Sequence, residues 1–214
     1  MDPEFWLRRW ENQETAWQES KPNPVLVTHI HQLALAKGRR LFLPLCGKTL
    51  DISWLLSRGY RVSGAELSQL AVEQLFMDLG VQPDIASAGE LEQWSATDLD
   101  IFVGDIFALS KKALGRVDAI YDRAALVALP ADIRSRYTEH LMALTSKAPQ
   151  LLVCYDYDQH LMDGPPFSVT GDEIRRHYAK TYDVRLLAST DVSGGLKGKC
   201  PATENVWLLS SKKD

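Results

Sequence analysis

Short apolar runs alternate along the chain with segments whose apolar residues recur at helical spacing. Leu41–Leu45 is a continuous apolar run, which is typical of a strand buried on both faces. Ile52, Leu55 and Leu56 then recur at the spacing of one helix face. The stretch therefore predicts a strand, a tight turn at Gly47 and a helix.

The same alternation continues to the end of the chain and predicts its fold class. Ser68 is suited to cap a helix that Gly80 closes, and Thr170 with Glu173 forms a capping box before another helix. Such a series, ending in two strands, is typical of a doubly wound α/β sheet with an antiparallel edge. We predict further strands at residues 61–65, 100–104, 116–122, 150–155, 182–189 and 205–210, further helices at residues 3–18, 24–37, 68–79, 132–145 and 170–180, and irregular structure at residues 83–95.

Length and composition indicate a single domain over residues 1–214, with residues 1–37 as a helical extension packed on it. The chain has 214 residues, 45% of them hydrophobic, which suits one full core. Its net charge of −4 and pI of about 5.8 predict no nucleic-acid partner and no anionic membrane partner. We find no signal peptide and no apolar stretch near the ~20 residues of a membrane span. The three cysteines fit neither a disulfide framework nor a zinc site, so we expect a cytoplasmic protein without metal. We also expect a monomer, although no residue pattern argues for it.

The turn at Gly47 and the acid at Glu66 are the strongest candidates for ligand binding. Glu66 ends the second predicted strand, nineteen positions after Gly47, where an acid can accept hydrogen bonds from ribose hydroxyls. A phosphate-binding loop would need glycine at position 42, which is Phe42, and a dinucleotide fingerprint would need three glycines. A nucleoside without phosphates fits better, and S-adenosylmethionine is the common one. A strand–helix–strand unit without a ligand is the alternative.

Two further groups of residues suit a flat heterocycle. Trp6, Trp10 and Trp17 crowd the N-terminal segment, either as a lid that excludes water from a reaction or as ordinary packing on the core. Asp105 and Ile106 follow a predicted strand, where the acid can accept from an adenine amine and the backbone N–H can meet a ring nitrogen. An ordinary turn aspartate is the alternative for Asp105.

Candidate substrate residues lie in the second half of the chain. Asp122 and Arg123 come at the end of a predicted strand, where the arginine fork can bind an anionic or electron-rich atom. A local ion pair is the alternative. Phe167 ends a proline-stiffened loop and can form an aromatic wall.

The chain resembles the thiopurine S-methyltransferase family, and its bacterial members most closely. The resemblance covers nearly the full length and is carried by FWLRRW and TAW near the start, LPLCGKTLDISWL, GAELS, GDIF, YDRAALVALP and GPPF. It implies a class I S-adenosylmethionine-dependent methyltransferase with a seven-stranded sheet, helices on both faces and an antiparallel last strand. It also implies methylation of aromatic and heterocyclic thiols, with selenium and tellurium compounds as further substrates and a detoxification role.

We hypothesise mechanistic roles for individual residues. Arg123 would stabilise the anion of a thiol or selenol substrate, and Asp122 is a possible proton acceptor, although the role we favour for it is to anchor the end of its strand. Cys46 as a methyl-carrying nucleophile is an alternative. Rival activities are methyl transfer to oxygen or nitrogen, a nicotinamide-dependent oxidoreductase disfavoured by the missing glycines, and a non-catalytic nucleoside-binding protein. The implied cofactor contacts are Trp10, Trp17, Leu45, Gly47, Glu66, Asp105, Ile106 and Arg123, and the implied substrate contacts are Trp6, Phe167 and Lys197.

Overall fold

A computed structural model describes residues 3–212, which form two compact units divided between Ala119 and Ile120. Each unit alternates strands with helices, as the apolar pattern predicts. The helices are α1 (Pro3–Glu11), α2 (Pro24–His29), α3 (Leu50–Ser57), α4 (Gln69–Leu79), α5 (Lys111–Leu114), α6 (Ala131–Leu144) and α7 (Gly171–Tyr178). The strands are β1 (Arg40–Pro44), β2 (Arg61–Glu66), β3 (Asp84–Ala88), β4 (Leu91–Ala96), β5 (Leu99–Val103), β6 (Ala119–Arg123), β7 (Gln150–Asp156), β8 (Tyr182–Asp191) and β9 (Thr203–Ser211).

The first unit is organised around three parallel strands. Its strand order is β3-β4-β5-β2-β1, in which β2 pairs in parallel with both β1 and β5. The strand β4 runs antiparallel to β5. Gly64 is central in β2, and a Cβ built on it would lie 2.7 Å from the Cys46 Sγ and 2.8 Å from the Ile101 Cδ1. This close approach holds the turn after β1 directly against the sheet.

The second unit combines a parallel and an antiparallel pairing. Its strand order is β6-β7-β9-β8, with β6 and β7 parallel and β9 antiparallel to both of its neighbours. The prediction of an antiparallel last strand is therefore confirmed. The two terminal strands are joined by residues 192–202, in which a bridge pairs Leu196 with Cys200. These two side chains pack with Tyr157, Met162 and Ala202 in a small buried cluster.

The prediction of seven strands is wrong, because residues 3–212 contain nine. The difference lies in residues 83–95, where irregular structure was predicted and the chain forms the hairpin of β3 and β4. Four of the five β3 side chains are exposed, so this edge strand carries no apolar alternation to reveal it. In β4, Trp94 is buried against Phe76, with ring centroids 6.0 Å apart.

Three predicted elements begin or end elsewhere. The first helix stops at Glu11, and Gln13 adopts a left-handed conformation. The second helix passes into a short 3-10 helix that ends at Leu33, and left-handed Ala34 follows it. The strand β6 begins after Asp118, whose carboxylate accepts the backbone N–H of Arg40 at 2.9 Å. No helix within residues 3–212 is long and apolar enough to span a membrane.

Several predicted helix boundaries are confirmed. Ser68 caps α4 by accepting from the N–H of Ala71, and left-handed Gly80 closes that helix. Thr170 caps α7 by accepting from the N–H of Glu173 at 3.2 Å. The Glu173 carboxylate binds Arg134 at 2.8 Å, so it stabilises packing within the second unit.

Candidate active site

Two residues in the left-handed region of backbone conformation build the turn after β1. This strand ends at Pro44, after which Leu45 has a φ of 48° and Gly47 a φ of 54°. The N–H of Cys46 donates to the carbonyl of Ala65 at 3.0 Å, which ties the turn to the end of β2. Because a leucine rarely adopts this conformation, the surrounding structure must impose it on Leu45.

The Glu66 side chain reaches this turn from the neighbouring strand. Its Oε2 accepts the N–H of Gly47 at 2.7 Å, and its Oε1 accepts the N–H of Ser68 at 2.8 Å. Burial raises the pKa of the Glu66 carboxyl, whereas the N–H groups of Ser68 and Gly47 lower it. A carboxylate has about four lone-pair sites, so beyond its bonds to the N–H groups of Ser68, Gly47 and Leu67 it can still accept from a ligand. This acceptor capacity suits the hydroxyls of a ribose.

The N-terminal segment packs directly on the turn. A Cβ built on Gly47 would lie 3.1 Å from the Trp10 Cζ2 and 3.2 Å from the Gln18 Nε2. Trp10 is only 4% exposed, and its ring meets that of Trp17 edge-on at 5.9 Å. The ring of Trp6 also meets that of Trp17 edge-on, at 5.4 Å. Trp10 is therefore both packed in the core and close to the turn at Gly47. Gln18 lies against the same turn and is a candidate that the sequence pattern did not predict.

Substitution of Gly47 by alanine is expected to destabilise the protein and weaken nucleoside binding. Gly80→Ala is the matched control, because Gly80 also has a positive φ but a Cβ there meets nothing within 4 Å. In both variants alanine must adopt a left-handed backbone conformation, which costs the same in each. Gly47→Ala also crowds Trp10, and this crowding should lower its free energy of unfolding by a further amount of about 1–3 kcal/mol. Urea unfolding of the two variants measures this difference. Equal free energies of unfolding for the two variants would contradict the close packing of the N-terminal segment on the turn.

The end of β5 lies beside Glu66 and carries the predicted adenine contacts. Glu66 pairs with Val103, the last residue of β5. Asp105 follows two residues later, is exposed and accepts the N–H of Phe107 at 2.9 Å. Ile106 is buried and begins a short 3-10 helix. Neighbouring strands lie about 4.8 Å apart, so the ends of β1, β2 and β5 form one continuous edge.

The first unit thus brings together most of the predicted cofactor residues. Carboxyl ends of parallel strands meet at one edge of a sheet, which is where open α/β sheets bind ligands. The buried acid has oxygens that could accept from ribose hydroxyls, and the tight turn lets a ligand approach the backbone. The exposed acid and the aromatic N-terminal segment suit an adenine ring. The members of this group are Trp10, Trp17, Leu45, Gly47, Glu66, Asp105 and Ile106.

In the second unit, Asp122 is sealed from solvent whereas Arg123 beside it is half-buried. The Oδ1 of Asp122 accepts the N–H of Leu126 at 3.1 Å, and its Oδ2 accepts the hydroxyl of Tyr137 at 2.8 Å. Burial raises the pKa of Asp122 to about 6, against the lowering effect of these bonds. Such a fully enclosed carboxylate is suited to holding the chain, and the role of Asp122 as a proton acceptor stays a prediction.

Two other predicted substrate residues, Phe167 and Lys197, contact the proline loop at Gly164 and Pro165. The ring of Phe167 packs over Gly164, where an added Cβ would lie 2.5 Å from it. The N–H of Phe167 donates to the carbonyl of Val127 at 2.6 Å. The Nζ of Lys197 donates to the carbonyl of Pro165 at 2.6 Å. Lys197, from the connection between β8 and β9, therefore contacts the loop that carries Phe167.

A separate open cavity of about 610 Å³ lies at the end of β7 in the second unit. Its charged lining residues are Asp156, Asp191 and Lys199. Most of the other lining residues belong to the glycine-rich connection between β8 and β9, residues 192–202. Burial raises the pKa of the Asp156 carboxyl. Neither Phe167 nor Lys197 lines this cavity, so the predicted substrate residues do not define it.

Comparison with known sequences gives matches over nearly the full length. A family model described as Thiopurine S-methyltransferase (TPMT) matches residues 1–211. A thiopurine S-methyltransferase of Xanthobacter autotrophicus is 55% identical over 210 residues, spanning 98% of this chain and 99% of the relative. One from Gluconobacter oxydans is 50% identical over 206 residues, spanning 96% and 94%.

Solved structures with low sequence identity share the fold. A 1,6-didemethyltoxoflavin-N1-methyltransferase of Burkholderia thailandensis, solved with bound 1,6-didemethyltoxoflavin and S-adenosylhomocysteine, superimposes with a TM-score of 0.65 at 14% identity. The match covers 98% of this chain and 87% of that one. A TehB-like SAM-dependent methyltransferase of Corynebacterium glutamicum gives 0.58 at 14% identity, covering 98% of both chains. The predicted fold class is therefore confirmed.

Proposed function

The chain belongs to the thiopurine S-methyltransferase family and has the class I methyltransferase fold, and from this premise we propose which chemistry its site performs. The protein is an S-adenosylmethionine-dependent methyltransferase. We propose that it methylates the sulfur of thiopurines and other aromatic or heterocyclic thiols, and that selenium and tellurium compounds are further acceptors. The observation that carries this proposal is the buried Glu66 carboxylate bonded to the Gly47 turn at 2.7 Å.

The first unit fits the adenosine part of S-adenosylmethionine. Glu66 would accept both ribose hydroxyls, since its carboxylate can still accept from a ligand beyond its backbone bonds. Asp105 and the backbone of Ile106 would hold the adenine edge, and Leu45 with Gly47 would lie beneath the methionine part. When bound, S-adenosylmethionine supplies an electrophilic sulfonium methyl group, which an acceptor sulfur takes by in-line displacement with release of S-adenosylhomocysteine.

The protein has little chemistry to perform beyond holding the reactants. A thiolate has already lost its proton to solvent, so a strong general base is unnecessary. Arg123 would hold this anion through its fixed guanidinium fork, and Phe167 would line the acceptor ring. Alignment of acceptor, methyl group and leaving sulfur can contribute about 7–11 kcal/mol of rate enhancement.

Residues 1–37 would act as the extension that keeps water out. The three leader rings contact one another edge-on, and Trp10 packs on the turn that would lie beneath the cofactor. Exclusion of water strengthens electrostatic contacts within a site and prevents side reactions. Gln18 lies against the same turn and is an additional candidate for cofactor contact.

Cys46 is expected to be dispensable for methyl transfer. Its thiol is buried, and burial together with nearby Glu66 raises the pKa of Cys46 well above its usual value. A neutral thiol is a poor nucleophile, so Cys46→Ala should keep kcat within about twofold of the wild type. Steady-state assays with a thiopurine measure this. Loss of activity in a folded Cys46→Ala protein would revive a methyl-carrying cysteine.

A panel of methyl acceptors tests the proposed function. Purified protein is incubated with S-adenosylmethionine and either a thiopurine, thiophenol, phenol, aniline, selenite or tellurite, and methylated products are identified by mass spectrometry. We expect S-methylated thiopurine and thiophenol together with stoichiometric S-adenosylhomocysteine. Methylation confined to phenol or aniline would redirect the proposal to oxygen or nitrogen, and binding without any methylated product would overturn it.

A further inference from the structure

In the second unit, two hydrogen bonds to Asp122 connect a buried hydroxyl with the turn that carries Arg123, and a separate bond joins the continuation of that turn to Phe167. It begins at Tyr137 of α6, whose side chain is fully buried. The Tyr137 hydroxyl donates to the Asp122 Oδ2 at 2.8 Å, and the Asp122 Oδ1 accepts the N–H of Leu126 at 3.1 Å. Asp122 is therefore held from opposite sides, by a helix and by the turn that follows its own strand.

The turn that Asp122 holds carries Arg123 and bears a strained residue. Ala124 has a φ of 63°, a conformation that alanine rarely adopts without support from its surroundings. Beyond the turn, the carbonyl of Val127 accepts the N–H of Phe167 at 2.6 Å. The Asp122 carboxylate thus bonds both to the hydroxyl of Tyr137 and to the turn that carries Arg123. The next residue of that turn, Val127, bonds to Phe167.

Asp122 is the group in this cluster whose charge changes at moderate pH. Tyr178 of α7 and Cys154 of β7 face it, and burial raises the pKa of both well above their usual values. Burial likewise raises the pKa of Tyr137. Arg134 and Glu173 form an ion pair farther out, and each also influences Cys154. The raised pKa of the two phenols and of the thiol keeps these groups neutral while Asp122 titrates.

We propose that Tyr137 is a positioning residue for the methyl acceptor, acting through Asp122 on the turn that bears Arg123 and on Phe167. The identity of the acceptor rests on the proposed function above, whereas the positioning itself does not. The ionised Asp122 is an acceptor for the Leu126 N–H, and protonation weakens that bond. The Leu126 hydrogen bond is therefore strongest above the pKa of Asp122 and weakens as the pH falls through it, although burial makes the ionised carboxylate the less stable state for the fold as a whole.

The variant Tyr137→Phe removes only the hydroxyl. Because the Tyr137 hydrogen bond lowers the pKa of Asp122, its loss should raise that pKa and move the acidic limb of kcat/KM to higher pH. At pH 6.5, a value chosen near the limb, loss of one hydrogen bond to the carboxylate should lower kcat/KM for a thiopurine about threefold. Ionisation of the acceptor is common to all the proteins compared, so a difference between their limbs reports on Asp122.

Tyr182→Phe is the matched control. Tyr182 is as buried as Tyr137, and its hydroxyl donates to the carbonyl of Ala148 at 3.1 Å, not to Asp122. This variant also loses one buried tyrosine hydrogen bond, so it reports the effect of general destabilisation. We expect its acidic limb to coincide with that of the wild type. Equal limbs in Tyr137→Phe and Tyr182→Phe would overturn the proposal.

A readout without catalysis separates this proposal from the proposed function. The amide resonance of Leu126 should titrate with a midpoint at about pH 6 in the wild type, and the midpoint should rise in Tyr137→Phe. This result stands even if no thiol is methylated. If Tyr137→Phe does not fold, the wild-type protein alone tests whether Asp122 acts on both segments. The amide resonances of Leu126 and Phe167 should then change with pH at the same midpoint. Absence of a common midpoint would overturn the proposal.

Discussion

Glu66→Ala is expected to raise the Kd for S-adenosylhomocysteine by about 100-fold or more. Two ribose hydroxyls would lose a charged acceptor, and each hydrogen bond to a charged group contributes roughly 1.5–3 kcal/mol. The effect should be large because Glu66 is 7% exposed and its carboxylate is already oriented by Gly47 and Ser68. Isothermal titration calorimetry on the folded variant measures it.

Two controls separate binding from folding in this experiment. Glu66→Gln keeps the volume but turns one acceptor into a donor that faces a backbone N–H, so it should bind almost as weakly as Glu66→Ala. Glu73→Ala removes an exposed acid from α4 in the same unit and should bind like the wild type. Wild-type affinity in folded Glu66→Ala would place the nucleoside elsewhere.

Arg123→Ala is expected to lower kcat/KM for a thiopurine by about 100-fold, because the anionic sulfur loses a charge-assisted donor. Arg123 is half-buried at the end of β6, where solvent screens its charge less than on an open surface. Steady-state kinetics at saturating S-adenosylmethionine measure the change. The effect should be smaller for an acceptor that carries no charge.

Arg123→Lys and Arg176→Ala complete this test. Lysine keeps the charge without the planar fork, so Arg123→Lys should recover only part of the activity. Arg176→Ala removes an exposed arginine from α7 in the same unit and should leave kcat/KM unchanged. If Arg123→Ala matches Arg176→Ala, then Arg123 has no role in holding the acceptor.

The turn and the acid were predictable because their signals are local. A continuous apolar run fixes β1, helical spacing fixes α3, and their distance from Glu66 follows from the length of one strand–helix–strand unit. The helix caps at Ser68 and Gly80 were predictable for the same reason, since each depends on a few neighbouring residues.

Features that depend on contacts between distant residues were not predictable. Nothing in the sequence pattern shows that Gln18 lies against Gly47, because that contact joins segments 29 positions apart. The hairpin of β3 and β4 escaped prediction since β3 is an exposed edge strand held by backbone pairing. The bond from Tyr137 to Asp122 likewise depends on how α6 packs, so the sequence favours Asp122 as an anchor of its strand end without showing which residue holds it.

A crystal structure of the protein with S-adenosylhomocysteine tests the central claim most directly. The account predicts both ribose hydroxyls within hydrogen-bonding distance of the Glu66 carboxylate, the homocysteine part against the turn at Gly47, and the adenine edge at Asp105. Density for the nucleoside away from Glu66 and Gly47, in a crystal grown at saturating ligand, would contradict it.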